Sequence, residues 1–342
     1  MLVSAYADDK LRREVAEDRR PMPEFLLLER EFGFELLDWS RVRLEPGRSV
    51  SRSIRHAAAG LAAASSADAL FSDGEHVGIP LGIALRTLGP AKPHVMLGHH
   101  LSSKTKPWML RSFGRMGISR VLVHSRAQLR FAIDRLGFRE GSAAFVPYYA
   151  DTRFWRPQHG AEQSLIASAG REHRDFVTLA AAVRELPYEA IIATGSLHSP
   201  TATWRTPAVM PNNISTGMRS HVGLRELYAQ AAVVVVPLIN NDFQAGVTTI
   251  LEAMAMAKPV IVTATEGQRD VVVDGVTGVL VSPQDPTALR MELRRLLSDA
   301  RERRRLGSNA RDAVLTHFNL PIYARALQGH LLDAARLRQQ AA

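Results

Sequence analysis

Two arginines, Arg171 and Arg174, stand three positions apart where an apolar run, Leu165–Ala169, gives way through Gly170 to a helical stretch near Asp175–Glu185. Guanidinium groups grip phosphate oxygens through paired, charge-assisted hydrogen bonds, so this spacing at a strand-to-helix loop suits a diphosphate. A carboxylate, Glu252, interrupts an otherwise apolar helical run between Leu251 and Ala253. A charge in that setting needs a partner. The loop before that helix ends in Gln244, Ala245 and Gly246, and the amides of Gly246, Val247 and Thr248 open the helix toward an anion. The pair His99-His100 ends another apolar run and is followed by Lys104 and Lys106. Strand alternation leaves both histidines open as functional residues; His99 is the one favoured.

The elements that must position these groups read as alternating strands and helices, the pattern of parallel sheets with helices on both faces. Ala231–Pro237 (AAVVVVP) has no solvated face and reads as a central parallel strand. It leads through the loop Leu238–Gly246 into a helix, Val247–Ala257, and then a second buried strand. Ligands of open α/β sheets sit outside the carboxyl ends of strands, so Asn240–Pro283 is where a phosphorylated ligand is expected. Further strands are expected at Leu2–Ala5, Ala69–Ser72, His94–His100, Arg120–His124, Ala144–Pro147, Leu165–Ala169 and Ala190–Ala193. Helices are expected at Ser53–Ala64, Arg126–Leu136 behind the cap Ser125, Leu224–Ala231, Asp285–Asp299, on to about His317, and Pro321–Arg338. The polar stretch Asp151–Ser164, with Pro157 and Gly160, reads as an interdomain linker. The predicted organisation is residues 1–157, residues 158–320, and a terminal helix at 321–342.

A length of 342 residues suits two domains, and 46% hydrophobic residues with few aromatics suits a soluble α/β protein. The formal net charge is +9, of which +7 falls in residues 1–160, favouring anionic partners. Cysteine is absent, which excludes disulfides and thiolate metal sites. Residues 1–20 carry mixed charge rather than a secretory signal, and no apolar run reaches the roughly 18 residues of a membrane span. The expectation is a cytoplasmic protein that at most touches the inner membrane face peripherally.

Over roughly its last 230 residues the chain resembles the retaining glycosyltransferases of the GT-B fold, specifically family 4, the glycosyl transferases group 1. Several segments carry the resemblance in the family's order: Ser119–Ser125 (SRVLVHS), Val146–Pro157 (VPYYADTRFWRP), Gly170-Arg171 with Arg174, Gln244–Glu252, and Asp274–Pro283 (DGVTGVLVSP). The family implies an α/β GT-B fold, two Rossmann-like domains with parallel sheets facing a central cleft. Its C-terminal helix crosses back to the first domain. The resemblance also implies a metal-independent transfer from a nucleoside diphosphate sugar, with UDP-sugar favoured over GDP-sugar and no cofactor. Arg171 and Arg174 would hold the diphosphate, and Glu252 the ribose hydroxyls. Gln244, Ala245, Gly246, Val247 and Thr248 would line the donor, and His99 would face the sugar. His100, Lys104 and Asp242 are secondary or acceptor-side candidates.

The chain departs from the family at three places. Gln244 stands where a Glu usually contacts the donor sugar, and Asp242 is the nearest substitute carboxylate. Arg174 stands where Lys is usual. Ala5-Tyr6-Ala7-Asp8 follows the first strand without the family's paired glycines. The acceptor is therefore open to a saccharide, a lipid headgroup or a small metabolite. Basic charge near Lys104 and Lys106 admits peripheral contact with an anionic membrane. A catalytically silent GT-B protein that binds a nucleotide sugar or scaffolds a partner is the competing expectation. Metal-ligand spacing, a Gly-x-Ser-x-Gly elbow and nucleic-acid modules are all missing.

Overall fold

A computed structural model of the chain describes residues 1–43, 50–103, 105–114, 117–158, 160, 162–194 and 205–339, so Lys104 lies outside the described residues. The chain forms two compact units. Unit 1 comprises Met1–Glu17, Met22–Pro147 and Pro321–Ala342, and unit 2 comprises Asp18–Pro21 and Tyr148–Leu320.

Unit 1 is built on four parallel strands in the order β1 (Leu70–Ser72), β2 (His94–Gly98), β3 (Arg120–Val123), β4 (Ala143–Phe145). Its helices are α1 (Asp9–Ala16), α2 (Glu24–Phe32), α3 (Val50–Ala63), α4 (Glu75–Thr87), α5 (Lys106–Met109) and α6 (Arg126–Asp134). The strand expected at Leu2–Ala5 is reduced to single bridges from Leu2 to Leu37 and Ser72, because the Ser4 amide and hydroxyl turn to the Asp73 carboxylate instead of a strand partner. The strand expected to reach His100 stops at Gly98. There the His100 amide is taken by Glu75 and the Leu101 amide by Gln128, both at 2.7 Å. Ser125 caps α6 as predicted, accepting from the Gln128 amide at 3.1 Å.

Unit 2 holds six parallel strands: β5 (Leu165–Ala169), β6 (Glu189–Ala193), β7 (Ile214–Gly217), β8 (Val233–Val236), β9 (Val260–Thr263) and β10 (Val279–Val281). Their spatial order is β10-β9-β8-β5-β6-β7. Its helices are α7 (Phe176–Val183), α8 (His221–Gln230), α9 (Val247–Ala255), α10 (Pro286–Ser298) and α11 (Ala300–His317). The last helix, α12 (Leu320–Gln339), returns the chain to unit 1, where Arg120 Nη1 lies 3.0 Å from His330 Nδ1. Alternation along the strands explains the two-sided covering. Ala167, Val234, Val236, Val260 and Val262 enter one core with α8 and α9. Their neighbours Ile166, Val233, Val235 and Ile261 enter the other with α7 and α10. The order reverses between β5 and β8: the chain winds from β5 out to β7, then returns to the other side of β5.

The units divide at Pro147/Tyr148, not within Asp151–Ser164. That segment is polar on average, but Phe154 and Trp155 are 2% and 1% exposed, and Trp155 packs 5.8 Å from the Tyr228 ring. It is part of the unit 2 core rather than a free linker. Trp155→Ala should therefore cost about 3–5 kcal/mol in urea unfolding, the range for deleting a buried large aromatic. A loss below about 0.5 kcal/mol, as for a solvated surface residue, would contradict this placement.

Candidate functional site

In open α/β sheets the crevice for a ligand lies where the strand order reverses, and unit 2 has a pocket of about 270 Å³ at that place. Its lining comes from the ends of β5 and β6 (Ala169, Gly170, Ala193), the loop after β5 (Arg171, Glu172, Arg174), the start of α9 (Gly246, Thr248, Thr249, Glu252), and Arg219 and Leu224. The two arginines and Glu252, far apart in sequence, thus meet in one site.

Arg174 is 2% exposed. Its Nε donates to Ala169 O at 2.8 Å, Nη1 to Glu172 O at 2.7 Å and Nη2 to Thr249 Oγ1 at 3.2 Å. A guanidinium has five N–H groups, so those not spent on the protein are left for the pocket. Burial pushes its pKa down to about 10, with Tyr228, Glu172 and Glu252 opposing, and it is charged at neutral pH. Both neighbouring glycines are in the left-handed region, Gly170 at φ +90 and Gly246 at φ +80. A Cβ on Gly246 would stand 2.9 Å from Arg174 Nη1, and one on Gly170 would overlap Nη2. Only glycine fits on either side of this arginine. Arg171 is half-buried on the same loop and lines the pocket directly.

Gly246 is also the N-cap of α9, and the first bond of the helix runs from the Ile250 amide to Gly246 O at 3.1 Å. Amides before Ile250 have no partner inside the helix, which leaves the pocket with a partial positive end. Of the loop residues, Ala245 and Val247 are 1% and 7% exposed with their side chains in the core, and their amides donate to Phe243 O at 2.9 Å and Gln244 O at 3.4 Å. Thr248 is exposed and lines the pocket, and Asp242 is half-buried. Gln244 is buried, and neither end of its amide has a partner among the described residues.

Glu252 is 8% exposed. Burial raises its pKa to about 8 against the pull of Tyr228 and Arg174. The Tyr228 hydroxyl, fully buried beside Glu252 and Thr249, makes no well-formed hydrogen bond among the described residues. Tyr228, buried against Glu252 and Thr249, and Thr249 and Arg219, which line the pocket, were missed by sequence reasoning. The first two sit on helices that were expected. Arg219 follows β7, whose sequence ISTG carries no apolar run to announce a strand.

His99 and His100 lie at the end of β2 in unit 1. His99 is exposed, and its Nε2 lies 2.9 Å from Asp73 O. The His100 carbonyl accepts from Lys106 Nζ at 3.0 Å, and Lys106 pairs with Glu75 at 3.1 Å. Burial alone would raise Glu75, but Lys106, His99 and the His100 amide hold it down to about 2. Asp73 behaves oppositely: burial raises it to about 6 despite two bonds from Ser4. No group of three or more potential metal ligands occurs among the described residues, and no described helix is long and apolar enough to cross a membrane.

The fold and the pocket together define a class: the chain has the GT-B fold of glycosyltransferases. It is similar over 97% of its length to the Anabaena protein HepE in complex with UDP-glucose (TM-score 0.71, 16% identity, 98% of that chain). It is also similar to sucrose-phosphate synthase of Thermosynechococcus elongatus over 87% of its length (TM-score 0.67, 20% identity, 82% of that chain). Residues 211–313 match the family model for glycosyl transferases group 1. A D-inositol 3-phosphate glycosyltransferase of Xylanimonas cellulosilytica is 36% identical over 165 residues, 44% of this chain and 38% of the relative. The match thus spans well under half the length of that relative.

The raised Glu252 pKa carries a pH signature. Between the ordinary value of 4.5 and about 8, the folded protein keeps a proton that the unfolded chain has released. This group's contribution to stability is therefore full below pH 4.5 and falls as pH rises through that window. Glu252→Gln lacks the titration, so its urea-unfolding free energy should fall less than the wild type's between pH 5 and pH 8. Parallel pH profiles would contradict the burial of a titrating carboxyl at this position.

Proposed function

We propose that this chain is a retaining, metal-independent glycosyltransferase of family 4 that moves a sugar from a nucleoside diphosphate sugar to an acceptor hydroxyl. The observation that carries the reading is the pocket at the β5/β8 reversal, where Arg171, Arg174 and the α9 N-terminus converge with Glu252. Positive groups fixed before the reaction stabilise charge that grows on a leaving diphosphate without having to reorganise. Glu252, which lines the pocket, supplies a hydrogen-bonding group suited to ribose hydroxyls. The similarity to HepE, solved with UDP-glucose, supports a uridine nucleotide ahead of a guanosine one.

In the transfer, the acceptor oxygen bonds to the anomeric carbon on the face from which the diphosphate departs. The carbon–oxygen bond to the β-phosphate breaks, its electron pair stays on the phosphate, and the acceptor's proton passes to that oxygen. Arg171, the free N–H groups of Arg174 and the Gly246–Thr248 amides hold the departing charge. The acceptor is assigned to unit 1, where the histidines at the end of β2, His99 and His100, are candidates for polar contacts. The basic charge of the first half extends that assignment to an acceptor at an anionic, cytoplasmic membrane face. Gln244 in place of a carboxylate favours a second reading, a nucleotide-sugar binder without turnover.

Incubation with a panel of UDP- and GDP-sugars should release nucleoside diphosphate slowly, whereas binding without release would favour the second reading. Arg171→Ala is the cleaner probe of the leaving group, because Arg174 also holds the fold. It should lower release at least tenfold with little change in melting temperature. Glu252→Ala should weaken calorimetric nucleotide binding by about 1–3 kcal/mol. Unchanged affinity in a folded variant would remove Glu252 from the site.

A further inference from the structure

With the diphosphate at Arg171 and the start of α9, and the ribose at Glu252, three residues lining the pocket still have no part: Ala193 at the end of β6, Arg219 after β7 and Leu224 on α8. The helix α8 gives two of them an order. Tyr228 is buried against Glu252, and so marks the ribose end. Leu224 is one turn nearer the helix start, about 6 Å from Tyr228 along the axis, and the cap Ser220 is about 12 Å from it. Arg219 stands just beyond that cap. Its stem runs beside the first turn of α8, where a Cβ on Gly223 would meet Arg219 Cβ and Cδ at 3.8 Å. Ala193 is buried and Leu224 half-buried, whereas Arg219 is exposed. Arg219 makes no hydrogen bond or ion pair among the described residues, so its whole guanidinium is left for whatever enters the pocket.

A nucleoside carries its base on the side of the ribose away from the phosphates. A base there lies against Ala193 and Leu224, whose apolar surfaces suit the face of a heterocycle, and turns its far edge to Arg219. A guanidinium only donates. The far edge of uracil offers O4, and that of guanine offers O6 beside N7, all of them acceptors. Cytosine and adenine carry an amino group at the matching position, which sets N–H against N–H. We propose that Arg219 selects the nucleobase of the donor, taking uracil or guanine, which bear a carbonyl on the far edge, over cytosine or adenine, which bear an amino group. The proposal rests on the reading of the pocket as a nucleoside diphosphate sugar site. Arg219 is exposed, so water can serve an N–H that the wrong base leaves unpaired. The discrimination is therefore moderate, not the large factor of a sealed site.

Calorimetry on the full chain with two pairs of probes tests it: UDP against CDP, and GDP against ADP. Each pair shares its ribose and diphosphate and differs only in the base. The better-bound carbonyl nucleotide, UDP or GDP, should bind at least about fivefold more tightly than its amino counterpart, CDP or ADP. Arg219→Ala should remove that preference by weakening the carbonyl nucleotide and leaving its counterpart within about twofold. Arg219→Gln should also bring the two together, because an amide can turn its oxygen to an amino group. Both variants change an exposed side chain and should keep the wild-type melting temperature. Equal binding within both pairs by the wild type would overturn the proposal. So would a preference that survives in Arg219→Ala, including a uniform loss of affinity, which is the mark of a charge acting on the diphosphate alone. A wild type that binds none of the four nucleotides would instead remove the pocket reading, and this proposal with it.

Discussion

Burying a guanidinium costs several kcal/mol unless its N–H groups are satisfied, and unit 2 satisfies Arg174 with two main-chain carbonyls and a threonine rather than a contacting carboxylate. The end of β5, the loop that follows it and the first turn of α9 are thereby tied to one planar group. Bonds leave it in three directions, a task that a single ammonium on a flexible stem does not reproduce. Gly170 and Gly246 let the backbone close on both sides of it. The carbonyls consumed in this way leave the arginine's charge only partly compensated.

That residual charge sets the electrostatics of the pocket. Glu252 is buried close enough to Arg174 and Tyr228 to feel both, yet burial still raises its pKa to about 8. The site therefore holds a carboxyl group whose ionisation is opposed by burial, beside a buried cation and a helix N-terminus. Such a site is short of negative charge. On the proposed reading a diphosphate would supply that charge. The same balance explains why the positive groups are fixed by main-chain contacts: they are in place before any ligand, which is what stabilising a leaving group requires.

Much of this was legible in the sequence, for reasons that individual residues make plain. Val233–Val236 and Val260–Thr263 are covered on both faces, so their letters are continuously apolar and their strands readable. The edge strand Ile214–Gly217 exposes Ser215 and Thr216, and its pattern is indistinguishable from a loop. Phe154 and Trp155 were lost in the polar average of Asp151–Ser164, because composition does not report which side chains turn inward. Arg171 and Arg174 were equivalent as letters. Which of them spends its N–H groups on the backbone depends on Gly246 and Thr249, about 75 residues away in the chain and adjacent only after folding. Gln244 stood out as a departure from the resemblance, but nothing in its letter shows that its buried amide goes unpaired among the described residues. An unpaired buried oxygen is a property of packing, not of residue type.

The central claim is that unit 2 binds a diphosphate between Arg171, Arg174 and the start of α9. A crystal structure of the chain with UDP or GDP tests it most directly. The account predicts phosphate oxygens within about 3.2 Å of the Arg171 guanidinium and of at least one amide among Gly246, Val247 and Thr248, with the ribose hydroxyls against Glu252. A nucleotide bound elsewhere, or phosphates turned away from both Arg171 and the α9 N-terminus, would contradict it.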